Sequence, residues 1–165
     1  MHSYHSATFY PVGQGLFSSG EFLLNHDRQR SFRWIYDCGT SSSKPLLQTA
    51  LDVFIARAHE AKPTVDVVAV SHFDKDHIAG LVSLLQRANV GTLLLPYIPL
   101  SERMALALAS DVRQRSRLMH FLINPIEVLN GLPNVSIERI VFVPASNGEP
   151  PPDLFSVDRN PNIHR

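Results

Sequence analysis

The sequence predicts a mixed α/β domain in which helices cover the faces of a sheet. Three observations carry that expectation. The first forty residues are strand-like and punctuated by turn signals. From residue 47 the apolar spacing becomes helical. A nearly continuous apolar run, Val65 to Val70, then leads through a polar loop into a second helical pattern, the order of a β-α unit.

Each element follows from its residues. Ala7 to Val12 is β-rich and stops at Gly13-Gln14-Gly15. Leu16 to Leu24 is a second strand, and the polar stretch Asn25 to Arg30 reads as a hairpin loop. Phe32 to Asp37 is a third strand, ended by Cys38-Gly39 and three serines. Leu47, Leu51, Phe54, Ile55 and Ala58 share one helical face, with Pro45 suited to its first turn. Val65 to Val70 is apolar throughout apart from Asp66, as in a strand buried on both faces. Ile78, Leu81, Val82 and Leu85 open another helix, and Thr92 to Leu95 forms the next strand, closed by Pro96 and Pro99. Ser101 to Leu118 reads as a helix with Ser101 as its N-cap. Pro125 separates it from a short piece ending at Asn130-Gly131, and Ile137 to Val143 is the last strand. Residues 1–143 are thus expected to form the domain. Residues 144–165, with prolines at 150, 151, 152 and 161, read as a Pro-rich tail or linker.

Composition excludes several classes of function. With 44% hydrophobic and 18% charged residues, the chain can bury a core and is not disordered. Fifteen basic residues balance fifteen acidic ones, so no single-signed field coats it for non-specific nucleic-acid binding. Arg103, Arg113, Arg115 and Arg117 still offer a local phosphate-facing patch, or equally a solvated helix face. The single cysteine, Cys38, excludes an internal disulfide framework and a Cys-rich zinc finger; it reads as a small buried residue. No apolar run approaches the roughly 20 residues of a membrane span, and the N-terminus lacks a secretory pattern. The expected location is the cytoplasm, without a membrane partner.

The chemistry is concentrated in His72-Phe73-Asp74-Lys75-Asp76-His77, where four candidate metal ligands follow a buried strand. Strand ends of α/β sheets project side chains into the crevice where such proteins bind ligands. Mixed imidazole and carboxylate donors suit zinc, manganese or iron better than calcium. In an extended turn, His72 and Asp74 point one way and Asp76 and His77 another, an arrangement for two metals about 3.5–4 Å apart. Gly80 and Gly39 permit close approach of neighbouring backbone. The plainer alternative is a polar loop in which Asp74 or Asp76 caps the helix and the histidines only hydrogen-bond.

Ser71-His72-Phe73-Asp74-Lys75-Asp76-His77-Ile78-Ala79-Gly80 resembles the metal-binding signature of the metallo-β-lactamase fold superfamily. The usual form is His-x-His-x-Asp-His; here Asp74 stands in place of the second His. That variant resembles the hydrolase domain of competence proteins of the DNA-uptake type. Val12-Gly13-Gln14-Gly15 resembles the first loop of those domains, which commonly continues with Asp where this chain has Leu16. Ile35-Tyr36-Asp37-Cys38-Gly39 resembles the fold's strand-end Asp-x-Gly. The resemblance implies an αββα sandwich and two divalent metals, zinc first and manganese second. His72 and Asp74 would bind one metal and Asp76 and His77 the other. Asp76 would also orient the activated water, while Asp37 and Gly39 would support the metal loop. The implied activity is metal-dependent hydrolysis of a phosphodiester or other ester-like bond, in a small molecule or a nucleic acid.

The fold's second β-rich half supplies a further His, a bridging Asp and another His. After His77 this chain has only His120, in a helical context, and His164, in the tail. The expectation is therefore the N-terminal half of the fold, completed by a further domain or a partner chain. The rival expectation is a catalytically incomplete interaction or regulatory module of a larger bacterial protein, such as a defence system.

Overall fold

The computed structural model describes residues 3–24, 27–109, 117–144 and 156–158. Its centre is a seven-stranded sheet in which the strands lie in sequence order. Strands β1 (Ser3–Phe9), β2 (Phe17–Leu24) and β3 (Asp27–Cys38) form an antiparallel meander. From β3 the sheet turns parallel through β4 (Thr64–Ala69), β5 (Asn89–Pro96) and β6 (Ser136–Val143). Strand β7 (Ser156–Asp158) closes the edge antiparallel to β6. The stretch read as a tail thus contributes a strand to the sheet; the rest of 145–165 lies outside the described residues.

Helices join the parallel strands, as chain geometry requires of such crossovers. Helix α1 (Lys44–Ala58) links β3 to β4 and carries Pro45 in its first turn. Helices α2 (Lys75–Ile78) and α3 (Leu81–Arg87) link β4 to β5. Helices α4 (Leu100–Ala109), α5 (Arg117–Ile123) and α6 (Pro125–Asn130) lie between β5 and β6. None of the described helices is long and apolar enough to cross a membrane.

The core sits on one sheet face. Ile35, Val68, Leu93 and Ile140 lie in register on successive strands and are at most 1% exposed. Leu47, Leu51 and Phe54 of α1 and Leu81, Leu84 and Leu85 of α3 belong to the same buried cluster. Burying each such side chain is worth roughly 1.5–3 kcal/mol. The opposite face differs. Phe9, Phe22, Phe32 and Tyr36 share it and stand 74%, 48%, 42% and 44% exposed. Val67 and Ala69 of β4 are only half-buried there, so β4 is not covered equally on both sides.

Local departures have local causes. β1 ends at Phe9 instead of Val12, because the chain folds back there: Tyr10 N–H donates to Phe17 O and Val12 N–H to Tyr10 O, both at 2.9 Å. The expected hairpin loop shortens, since Asp27 to Arg30 already belong to β3; residues 25 and 26 lie outside the described residues. Ser101 lies inside α4, which begins at Leu100, and the middle of the helix expected from Ser101 to Leu118 falls in the undescribed 110–116. The helix expected from Ile78 onward breaks at Gly80, whose N–H donates to Cys38 O at 2.8 Å instead of joining a helical ladder.

Candidate metal centre

Three segments far apart in sequence build the site. The strand end Asp37-Cys38-Gly39, the loop Gly13-Gln14-Gly15-Leu16 and the segment 71–77 are joined by backbone bonds. Gly39 N–H donates to Leu16 O at 2.9 Å, and Leu16 N–H donates to Asp76 O at 3.0 Å. Thr40 Oγ1 donates to Val12 O at 2.6 Å, while Ser41 N–H donates to Gln14 O at 2.8 Å. A Cβ on Gly39 would lie 2.4 Å from the backbone of Asp76 and His77, so only glycine admits the metal loop at this distance.

Phe73 anchors that loop from within. It is 5% exposed and meets Phe121 of α5 edge-to-face, with ring centroids 5.7 Å apart. With Phe73 held inside, its neighbours His72 and Asp74 remain outside the core. This anchor was not singled out from the sequence; an aromatic inside an otherwise polar run is the signal that marks it.

Asp37 organises the polar side of the site. It is fully buried and takes a left-handed backbone conformation, φ 57°, that Asp and Asn tolerate better than most residues. Its Oδ1 accepts from Ser71 N–H at 2.8 Å. Its Oδ2 accepts from Ser71 Oγ and from His77 Nδ1, each at 2.7 Å. Asp37 thus ties Ser71 and His77 together through one carboxylate, and metal-ligating imidazoles usually carry such a bond on their other ring nitrogen.

His72, Asp76 and His77 come together, each offering a ligand atom within 4.8 Å of the others. The two imidazole rings lie 3.7 Å apart between centroids. Asp76 Oδ2 is 3.5 Å from His77 Nε2. Asp74 stands at the rim, 71% exposed, with Oδ2 3.4 Å from His72 Nε2 and outside that group of three. Asp76 and His77 thus lie against His72, and Asp74 stands beside the three, next to His72. The reason is the single turn of α2, which swings Asp76 and His77 back towards His72. Asp74 occupies the N-cap position of α2 yet makes no side-chain capping bond, so its carboxylate is not spent on the helix.

The remaining candidates lie elsewhere. Cys38 is buried, and that burial, with the charge of Asp37 second, pushes its thiol far above the usual range, which excludes a nucleophilic role. Arg103 turns inward: Nη1 donates to Ile123 O at 2.8 Å, Nε is buried without a partner among the described residues, and burial lowers its pKa. Arg113, Arg115 and His164 fall outside the described residues, and His120 is exposed on α5.

The family is decided by comparison. The model of the metallo-beta-lactamase superfamily matches residues 30–154. The chain belongs to that superfamily. Among solved structures it is similar to one titled "Peroxy diiron species of chemotaxis sensor ODP", at 18% identity and a TM-score of 0.35, over 59% of this chain. The chain spans 36% of that structure's length. No curated protein matches. In this member of the metallo-β-lactamase superfamily the fold is hydrolase-like, and the grouped His72, Asp76 and His77 fit a divalent metal by donor type. Ser71 carries a part that sequence reasoning did not assign. Its hydroxyl lies 2.8 Å from His72 Nδ1 and 3.2 Å from His77 Nδ1.

Proposed function

We propose that this chain is the metal-binding half of a hydrolase that cleaves a phosphodiester or other ester-like bond. The observation that carries the reading is the convergence of His72, Asp76 and His77 over the buried, fully hydrogen-bonded Asp37. His72 and Asp74 would hold one divalent cation, zinc before manganese, and Asp76 and His77 a second. When bound, such cations supply Lewis acidity and a water activated for attack near neutral pH. Asp76 would accept a hydrogen bond from that water and so orient it. Asp37 keeps the Nδ1 proton of His77 in place, which leaves Nε2 to bind. The phosphodiester preference follows the Asp74 variant and its resemblance to the DNA-uptake hydrolases.

These donors are fewer than a two-metal centre needs, and incomplete shells bind weakly because fewer ligands offset the ion's dehydration. We therefore propose that a further domain or a partner chain completes the site. The exposed sheet face supports this, since aromatic residues such as Phe9 and Phe22 standing in solvent mark an interface. The same face favours the second reading, an incomplete module that assembles in a larger protein.

Metal titration with competing chelators, run beside a phosphodiesterase assay, tests the proposal. Residues 1–165 alone are expected to bind zinc or manganese weakly and to hydrolyse nothing. His72→Ala and Asp76→Ala should abolish binding, whereas Asp74→Asn should weaken it less, because Asp74 stands at the rim. Equal loss in Asp74→Asn would move that residue to the centre. Undiminished binding in His72→Ala would remove the metal site altogether.

Completion has its own measurement. Light scattering after size exclusion should show residues 1–165 as oligomers or aggregates. A stable, active monomer holding two tightly bound metals would overturn the incomplete reading in both its forms.

A further inference from the structure

We propose that Ser71 is a positioning residue that sets the tautomer of His72, so that the single carboxylate of Asp37 orients both imidazoles of the centre. The proposal rests on the metal-centre reading above, yet it concerns protons that the metal-free protein already holds.

Proton counting leads to it. A carboxylate only accepts hydrogen bonds, and a serine hydroxyl has one proton to give. Ser71 Oγ lies 2.7 Å from Asp37 Oδ2 inside the protein, so its proton is committed there. Towards His72 Nδ1, 2.8 Å away, the same oxygen can then offer only lone pairs. His72 Nδ1 must therefore carry the hydrogen. The reverse assignment, with Ser71 donating to His72, would set lone pairs of Ser71 and Asp37 against each other at 2.7 Å beside a fully buried carboxylate. His77 needs no intermediary, because its Nδ1 donates straight to Asp37 Oδ2 at 2.7 Å. Both rings thus keep Nε2 unprotonated, the form that binds a cation.

The geometry also explains why a relay is present. His72 and His77 pack ring to ring with centroids 3.7 Å apart, and His77 already occupies the place beside Oδ2. The second imidazole reaches the carboxylate only through a group one atom long that both accepts and donates. Ser71 meets that need and is itself held by the same carboxylate, through its N–H to Oδ1 at 2.8 Å. Ser71→Ala keeps this backbone tether and removes only the relay, so the loop should stay in place.

The test reads protons and metal separately. Long-range nitrogen–proton NMR on the metal-free chain, at about pH 8.5 where ordinary imidazoles are neutral, should show hydrogen on Nδ1 of both His72 and His77. In Ser71→Ala, His72 should lose that assignment and populate the Nε2–H form, while His77 stays unchanged. Zinc affinity by chelator competition should fall about tenfold, in the range of lost ligand-orienting bonds. Ser71→Thr should restore both readings. His72 keeping its Nδ1 hydrogen in Ser71→Ala, or no rescue by threonine, would overturn the relay. If the tautomers follow the proposal while no variant binds zinc, the metal reading fails and the relay stands.

Discussion

Asp37→Ala is expected to cost about 3–5 kcal/mol of stability and to lower zinc affinity by about 10–100-fold. Two effects add. Removing the carboxylate leaves Ser71 N–H, Ser71 Oγ–H and His77 Nδ1–H without their acceptor in a place water reaches poorly. Each unsatisfied buried donor costs about 1–3 kcal/mol. Position 37 also has φ 57°, which alanine tolerates worse than aspartate. Asp37→Asn separates these contributions. Asparagine suits the left-handed backbone and keeps one acceptor oxygen, so the cost should fall to about 1–3 kcal/mol. Its amide nitrogen would still face donors, so the metal affinity should not recover. Urea unfolding of both variants measures the first effect and chelator competition the second. A loss below about 0.5 kcal/mol in Asp37→Ala, the usual range for an uninvolved surface site, would mean that Asp37 does not brace the loop.

Much of this fold was legible because its signals are local. The helical spacing of Leu47, Leu51 and Phe54 marks α1, and the apolar run from Val65 marks β4. The expected metal loop lies where strand and helix patterns meet. What stayed hidden depends on distant partners. Asp27 to Arg30 look like a turn because they are polar, yet they extend β3, whose pairing is set by its partner strand. The break at Gly80 depends on Cys38 O, forty-two residues earlier, and periodicity cannot show it. β7 takes its register from β6 rather than from its own three residues. At the site the residue types were readable, but the contacts between them depend on the fold. The turn of α2 decides that Asp76 joins His72, and the link from Asp37 to Ser71 spans thirty-four residues.

Gly39→Ala is expected to damage the site as severely as loss of Asp37, through shape alone. The added methyl would lie 2.4 Å from the Asp76 carbonyl carbon and from both N and C of His77. These are backbone atoms, which cannot swing aside as the end of a side chain does. Ordinary contacts between such atoms are nearer 3.5 Å, so the loop must retreat by about 1 Å. That retreat pulls on the bonds fastening it, Leu16 N–H to Asp76 O at 3.0 Å and Gly80 N–H to Cys38 O at 2.8 Å. Overpacking costs about 1–3 kcal/mol, and each loosened bond adds about 1 kcal/mol. We expect a total near 3 kcal/mol. Metal affinity should fall about 100-fold, because a 1 Å displacement spoils ligand geometry that tolerates only a few tenths. Gly131→Ala is the control. Its Cβ would meet nothing closer than 3.5 Å, and its φ of −81° suits any residue. That change should be neutral or slightly stabilising, by up to about 1 kcal/mol. If Gly39→Ala unfolds and binds zinc as the Gly131 variant does, the strand end at Asp37-Cys38-Gly39 does not set the position of the metal loop.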